Sequence, residues 1–243
     1  MVDELSLIKG EGLDIGPYIH LNHPTLDEIR SYGEQKYWTM IYMLCASSSD
    51  YMVELDEAGI DYNDLTDFQF FIYIAKNLKQ SDTQIILGDL DLQKLELGTN
   101  IKNNAMVYFY DNEDGTQTVI DEVFYTRIIE YIRKIHYIEK KKIIAANEHT
   151  KQYLIEKEKR RRKRRHSNKI ESILAPSISA LVNSEGFKYD YQSIWNLPIF
   201  CFFDALRRIH KIKNYTNIMN GICSGTISSK NMNMEELNWS SKI

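Results

Sequence analysis

Apolar residues recur with a helical period along the stretch Val123–Arg165, which we interpret as one long helix. Neither Gly nor Pro occurs between Thr116 and Ala175, and both residues are unfavourable inside a helix. The apolar positions of its front half are Tyr125, Ile128, Ile129, Ile132 and Ile135. An unbroken helix of this length would extend about 65 Å at roughly 1.5 Å per residue. We therefore expect its far end to leave the core.

The segments on either side of this stretch indicate the rest of the fold. Helical periods also mark Glu34–Ser47, which we assign to the core, and the residues that follow Thr66 and Pro198. Between Gln84 and Ile120 the apolar runs become short and partly alternating, and a turn-forming cluster at residues 111–115 separates the last two. The sequence thus predicts a mostly α fold with a small antiparallel β element (α+β) and a long central helix.

Three regions follow from this pattern. We expect an N-terminal helical region with a small sheet at residues 1–120, a connecting helix with a basic end at 121–166, and a C-terminal helical region at 167–243. A chain of 243 residues that is 43% hydrophobic can bury a sizeable core.

Charge is concentrated at the end of the long helix, where residues 157–165 read KEKRRRKRR. This segment carries a net charge of +7 in a chain of net charge −4, so the remaining residues together carry −11. In one interpretation it is a solvated helix end that meets an acidic surface on the same or a neighbouring subunit; in the other it contacts nucleic acid or phosphate. The candidate contact residues are Lys159, Arg160, Arg161, Arg162, Lys163, Arg164 and Arg165.

A second candidate surface lies near the C-terminus, where aromatic residues are too dense for one helix face. Ile199, Phe200, Phe202 and Phe203 cannot all lie on one helix face at about 100° per residue. We expect Trp195, Phe200 and Phe203 to contact a second element or a second chain. The alternative, which we favour for Phe202, is that the N-terminal helices of the same chain cover these rings.

No residue pattern indicates an enzyme. Nucleotide-binding, zinc-protease and serine-hydrolase motifs are all missing from the sequence, and His136 and His149 would be about 20 Å apart on one helix. Asp89 and Asp91 could hold a metal from a strand, but an ordinary turn explains them better. We therefore expect no catalytic residue, no metal site and no cofactor.

Location is constrained by the cysteines and by the absence of long apolar runs. Cys45, Cys201 and Cys223 form no CxxC pair, which fits a reducing compartment. The N-terminus carries acidic residues where a signal peptide would carry basic ones, and no run of about 18 apolar residues occurs. We expect a protein that is neither secreted by that route nor bound to a membrane.

Three blocks of the sequence carry a resemblance to a known family. Two are the N-terminal block His23–Ile29 and the block Tyr51–Phe71. The third is C-terminal and comprises Trp195, Pro198, Ile199, Phe200, Arg208, Lys211, Tyr215, Met219–Ile222, Ser224, Gly225, Ile227, Lys230 and Trp239. With these blocks the chain resembles morphogenesis proteins of tailed bacteriophages, such as tail assembly chaperones or baseplate hub assembly proteins.

This resemblance implies a non-enzymatic role in virion assembly through protein–protein contacts. The implied partners are other phage tail or baseplate proteins, or further copies of the chain, in the host cytoplasm or in the virion. The alternative is a nucleic-acid-binding regulatory protein that uses the basic helix end 157–165. An enzyme with an unrecognised site is the third class.

Overall fold

The computed structural model describes residues 3–101, 104–112, 114–165, 171–228, 232–233, 235 and 237–241. The described chain is mostly α-helical with two small antiparallel sheets, which confirms the predicted fold class. The helices are α1 (Glu4–Lys9), α2 (Leu26–Tyr32), α3 (Glu34–Leu44), α4 (Met52–Glu57), α5 (Asp67–Ala75), α6 (Gln80–Leu87), α7 (Glu122–Ile135), α8 (Glu148–Arg165), α9 (Leu174–Val182) and α10 (Ile199–Cys223). The strands are β1 (Leu13–Ile15), β2 (Ile19–Leu21), β3 (Glu96–Thr99), β4 (Met106–Asp111) and β5 (Gln117–Ile120).

The larger sheet lies where the alternating pattern predicts it. Its strand order is β3-β4-β5, and both pairs are antiparallel. The β4–β5 turn contains Gly115 at φ 79°, a backbone conformation that favours glycine. The sequence pattern does not predict the smaller sheet, β1 with β2, because three residues are too few to establish an alternating run.

The centre of the fold is α7, whose apolar stripe is buried as predicted. Tyr125, Ile128, Ile129, Ile132 and Ile135 are all at most 4% exposed. One hydrophobic cluster joins this stripe to residues of α1 to α3, α5, α9 and α10. The C-terminal helices thus share a core with the N-terminal ones, and the predicted boundary at residues 166 and 167 lies outside the described residues.

The prediction of one long helix over Val123–Arg165 is wrong. Helix α7 ends at Ile135, and α8 starts only at Glu148. At the break, Tyr137 takes a φ of 53°, which an α-helix does not allow. Its ring stacks on Phe200 at 5.3 Å between centroids.

Backbone groups in the connecting segment then bond to another part of the chain instead of to a helix. The Ile143 N–H donates to Ser49 Oγ at 3.1 Å, and the Ala145 N–H donates to Asn63 Oδ1 at 3.2 Å. These contacts between distant residues replace the helical hydrogen bonds that the local sequence would favour.

Two local predictions also need correction. The region of short apolar runs predicted to form the sheet begins at Gln84, but Gln84–Leu87 forms the end of α6. Leu92 begins a short 3-10 turn, and the strand starts only at Glu96. Both runs are short and apolar, and such runs fit a buried strand or a buried helix equally well.

Candidate functional site: the basic helix

Helix α8 is the element that presents the basic segment. It begins where Asn147 accepts a hydrogen bond from the Thr150 N–H at 2.8 Å, an N-cap contact. Ile155 is 1% exposed and packs in a second hydrophobic cluster with Met52 and Val53 of α4. The helix is therefore attached to the body, which corrects the expectation that the basic end leaves it.

The inner side of α8 forms ion pairs with the acidic helix α4, whose sequence is MVELDE. Lys159 lies 3.4 Å from Asp56. Arg162 forms an ion pair with Glu54 and also donates to the Asp50 carbonyl at 3.0 Å. The hydrogen bond to Glu54 raises the pKa of the Arg162 guanidinium, so this cation stays charged. The cations on the inner side of α8 therefore contact an acidic surface of the same chain, which is the first of the two interpretations of the basic segment.

A third ion pair fixes the start of the helix. Lys151 contacts Asp61 at 2.9 Å and Glu148 at 2.6 Å, and these bonds raise the pKa of its amine. The pKa of the Asp61 carboxyl is lowered, first by the Asn63 N–H and then by Lys151. Surface pairs of this kind each stabilise a protein by at most about 1 kcal/mol. Together they determine which side of α8 faces the body.

The opposite side of α8 carries the outer stripe, which we define as Lys157, Arg160, Arg161 and Arg164. All four residues are exposed. Arg164 is nine positions from buried Ile155, which at about 100° per residue places it on the far side of the helix. Tyr153, which is 61% exposed, extends the same side toward the helix start.

Two of the stripe cations have a carboxylate neighbour on α8 itself. Arg160 lies 3.9 Å from Glu156, and Arg161 lies 2.6 Å from Glu158. Lys163 is exposed beside the stripe, and Arg165 is the last residue of the helix, with its side chain outside the described residues. The segment predicted as one contact surface is therefore divided, with Lys159 and Arg162 facing inward.

The predicted aromatic surface is also divided. Phe200 is 6% exposed, because Tyr137 stacks on it and the edge of His23 approaches it. The same chain therefore covers Phe200, and a partner contact at this residue stays a prediction. As expected, Phe202 is fully buried.

The other two aromatic residues are half-buried. Phe203 meets the ring of Trp38 at 6.0 Å between centroids. Trp195 donates to the Tyr191 carbonyl at 2.9 Å, and Arg30 lies 5.9 Å above its ring. A partner contact at Trp195 or Phe203 stays a prediction.

Sequence reasoning missed a groove beside α3. A cavity of about 550 Å³ is lined by apolar and aromatic side chains and by an equal number of polar or charged ones. Among them are Tyr32, Trp38, Met40, Tyr42, Met43 and Ile173. The apolar pattern of Glu34–Ser47 predicts a core helix, and Tyr42 in this run is 53% exposed. Its apolar pattern signals burial but does not show which residues lie at the edge of the core.

The structure also places the residues considered for metal binding. Asp91 accepts from the Gln93 N–H at 3.0 Å and so caps a turn. Within the described residues, no three His, Cys, Asp or Glu side chains are grouped as metal ligands. The helices of that part of the chain are also too short or too polar to cross a bilayer.

Comparison with known proteins gives one match. No curated protein and no solved structure matches the chain. Residues 165–243, from the end of α8 through α9 and α10, match the family model of the YomV second domain. This family derives from YomV of Bacillus phage SPBc2, so the C-terminal third of the chain is similar to a phage protein domain.

Proposed function

We propose that the chain is a non-enzymatic phage assembly protein that binds an acidic surface of a tail or baseplate protein through the outer stripe of α8. The observation that carries the proposal is the division of the basic helix into two sides. Its inner cations are paired with α4, and its outer cations point away from the body. The similarity of residues 165–243 to a phage domain supplies the phage context.

Pairing on the inner side prepares the outer side for binding. Because Ile155, Lys159 and Arg162 hold α8 against α4, the stripe residues project from a helix that is already ordered. Binding through an ordered surface costs less conformational entropy than binding through a disordered basic tail. Tyr and Arg are also the residue types that most often dominate the energy of protein interfaces, and the stripe with Tyr153 consists largely of these.

The carboxylates on α8 favour a protein partner over nucleic acid. Glu156 and Glu158 lie next to Arg160 and Arg161, where they reduce the attraction of this surface for phosphates. At a protein interface the same carboxylates can accept hydrogen bonds from the partner.

Charge reversal tests the proposal. We would replace Arg160, Arg161 and Arg164 with Glu in an affinity-tagged chain, and purify its complexes from phage-infected cells. The tail or baseplate proteins recovered with the natural chain should be lost, because like charges would then face each other. Unchanged recovery of those proteins would overturn the proposal.

A matched control separates the stripe from net charge. Replacing Lys79, Arg127 and Lys188 with Glu changes the net charge by the same amount at exposed positions outside α8. This control should keep the tail or baseplate protein. Mass spectrometry of purified virions would then show whether the chain stays in the particle or acts only in the host cytoplasm.

Nucleic-acid binding is the second candidate, because all four residues of the outer stripe are cationic. If it holds, the affinity for a 30-bp DNA duplex, measured by fluorescence anisotropy, should fall steeply between about 50 and 200 mM salt. When the logarithm of the binding constant is plotted against the logarithm of the salt concentration, each neutralised phosphate contributes about −0.9 to the slope. The stripe variant should then lose binding to the duplex. Under the leading proposal, the natural chain does not bind the duplex in this way.

A further inference from the structure

The edge strand β3 continues an apolar row beyond the body of the protein. The sheet register aligns Ile120 of β5, Tyr108 of β4 and Leu97 of β3 on one face. Ile120 and Tyr108 are each 1% exposed, whereas Leu97 is 53% exposed. The body therefore covers two of the three strands on this face and leaves the third uncovered.

Other exposed apolar side chains surround this position. Met106, which is 43% exposed, lies on the same face as Leu97, because residues two apart on β4 share a face with Tyr108. Ile101, just after β3, is 96% exposed. The anchor of this face is Tyr108, whose hydroxyl donates to the Ile72 carbonyl of α5 at 2.8 Å. The exposed row is thus the continuation of a firmly held core face.

The backbone of β3 offers a matching edge. In the order β3-β4-β5, β3 pairs with β4 on one side, so its other side is the edge of the sheet. Edge strands that avoid pairing often carry Lys or Pro, but β3 reads ELGT. Its one charged residue is Glu96.

We propose that β3 pairs antiparallel with β3 of a second copy of this chain, which makes a continuous six-stranded sheet. A two-fold axis perpendicular to the sheet keeps equivalent side chains on the same face. It therefore allows Leu97 to lie directly opposite Leu97 of the second copy. The apolar row then runs without interruption from one body to the other.

Charge and space fit this register. Glu96 lies opposite Gly98 of the second copy, so the two carboxylates do not face each other across the strands. In each chain the Phe109 ring covers Gly98 so closely that a Cβ there would come within 2.4 Å of it. Like charges directly opposite each other would oppose pairing, and this register avoids them. The pairing is independent of the proposed function of α8.

Sedimentation velocity of the full chain tests the pairing. We expect the mass to rise from one chain of 28.6 kDa toward two between about 1 and 200 µM, because a small interface gives a weak affinity. Leu97→Lys should hold the protein at one chain, since two ammonium groups would then lie opposite each other. The matched control is Val119→Lys, at a 42% exposed position on the opposite face of the same sheet, and it should keep the pairing.

Oxidative cross-linking tests the register itself. In a Cys223→Ser background, which removes an exposed thiol, Leu97→Cys should give a disulfide-linked dimer on copper-phenanthroline oxidation. Directly opposite positions in an antiparallel pair are about 4.5–5.5 Å apart at Cα, within disulfide range. Thr99→Cys should cross-link much less.

Three results would overturn the proposal. They are a single chain at every concentration, a dimer that persists in the Leu97→Lys variant, and equal loss of the dimer in the Val119→Lys variant. Both Lys variants replace exposed side chains, so their melting temperatures should stay within a few degrees of the natural chain.

Discussion

Acidification should destabilise the protein through one buried imidazole, that of His136. The side chain is 4% exposed and packs against the rings of both Tyr37 and Trp38. Its Nδ1 lies 2.6 Å from the Ile132 carbonyl, so Nδ1 carries the proton and donates it. Its Nε2 then accepts from the Tyr37 hydroxyl at 2.5 Å. The neutral ring has both nitrogens satisfied, and a second proton on Nε2 would require the Tyr37 hydroxyl to turn from donor to acceptor.

Burial lowers the pKa of His136 from 6.5 to about 4, although the hydrogen bond to Ile132 acts in the opposite direction. Above pH 6.5 the ring is neutral in both the folded and the unfolded chain, and the free energy of unfolding is unaffected. Between pH 6.5 and 4 the unfolded chain binds a proton that the folded chain does not bind, so stability falls as the pH falls. A difference of about 2.5 pKa units is worth roughly 3 kcal/mol, a large part of the typical 5–15 kcal/mol.

Urea unfolding followed by circular dichroism at pH 7.5, 6.5, 5.5 and 4.5 measures this loss. Burial also lowers the pKa of His23, which adds a loss of the same sign. The control is therefore the double variant Tyr37→Phe/His136→Phe, which retains His23. It removes the imidazole together with the hydroxyl that donates to it. The Ile132 carbonyl still accepts a hydrogen bond from the backbone N–H of residue 136, which lies 3.3 Å away in the natural chain.

The double variant should lose about 2.5 kcal/mol less than the natural chain between pH 7.5 and 4.5. Equal pH profiles for the two proteins would refute the assignment. A natural chain whose stability does not change over this range would refute it as well.

Three substitutions and one control variant test the packing and the helix cap, each by chemical denaturation. Ile155→Ala should cost about 2–5 kcal/mol, because a fully buried side chain joins α8 to α4, whereas exposed Tyr153→Ala should cost less than about 0.5 kcal/mol. Phe200→Ala should cost about 3–5 kcal/mol, because the ring is buried in the core; a change near zero would contradict this packing. Thr66→Ala should cost about 1 kcal/mol, because the hydroxyl caps α5 by accepting the Gln69 N–H at 3.1 Å, and an unchanged stability would contradict that role.

The sequence by itself determined the features that depend on neighbouring residues. The apolar period of α7, the cap at Thr66 and the turn between β4 and β5 are set within a few positions, so their signals can be read without knowledge of the fold. The polarised charge of residues 157–165 is likewise a property of the sequence, and it drew attention to α8.

Tertiary structure decided what those elements contact. Between α7 and α8 the chain leaves the helix because the side chains of Ser49 and Asn63 accept hydrogen bonds from its backbone N–H groups. In addition, the ring of Tyr137 stacks on Phe200. The inward cations of α8 are selected by Asp56 and Glu54, which lie about 100 positions earlier in the chain. Such contacts form between residues far apart in sequence, and their geometry depends on how all the elements pack. A local pattern can therefore give the period of a helix or the charge of its end, but it cannot show which side meets the body.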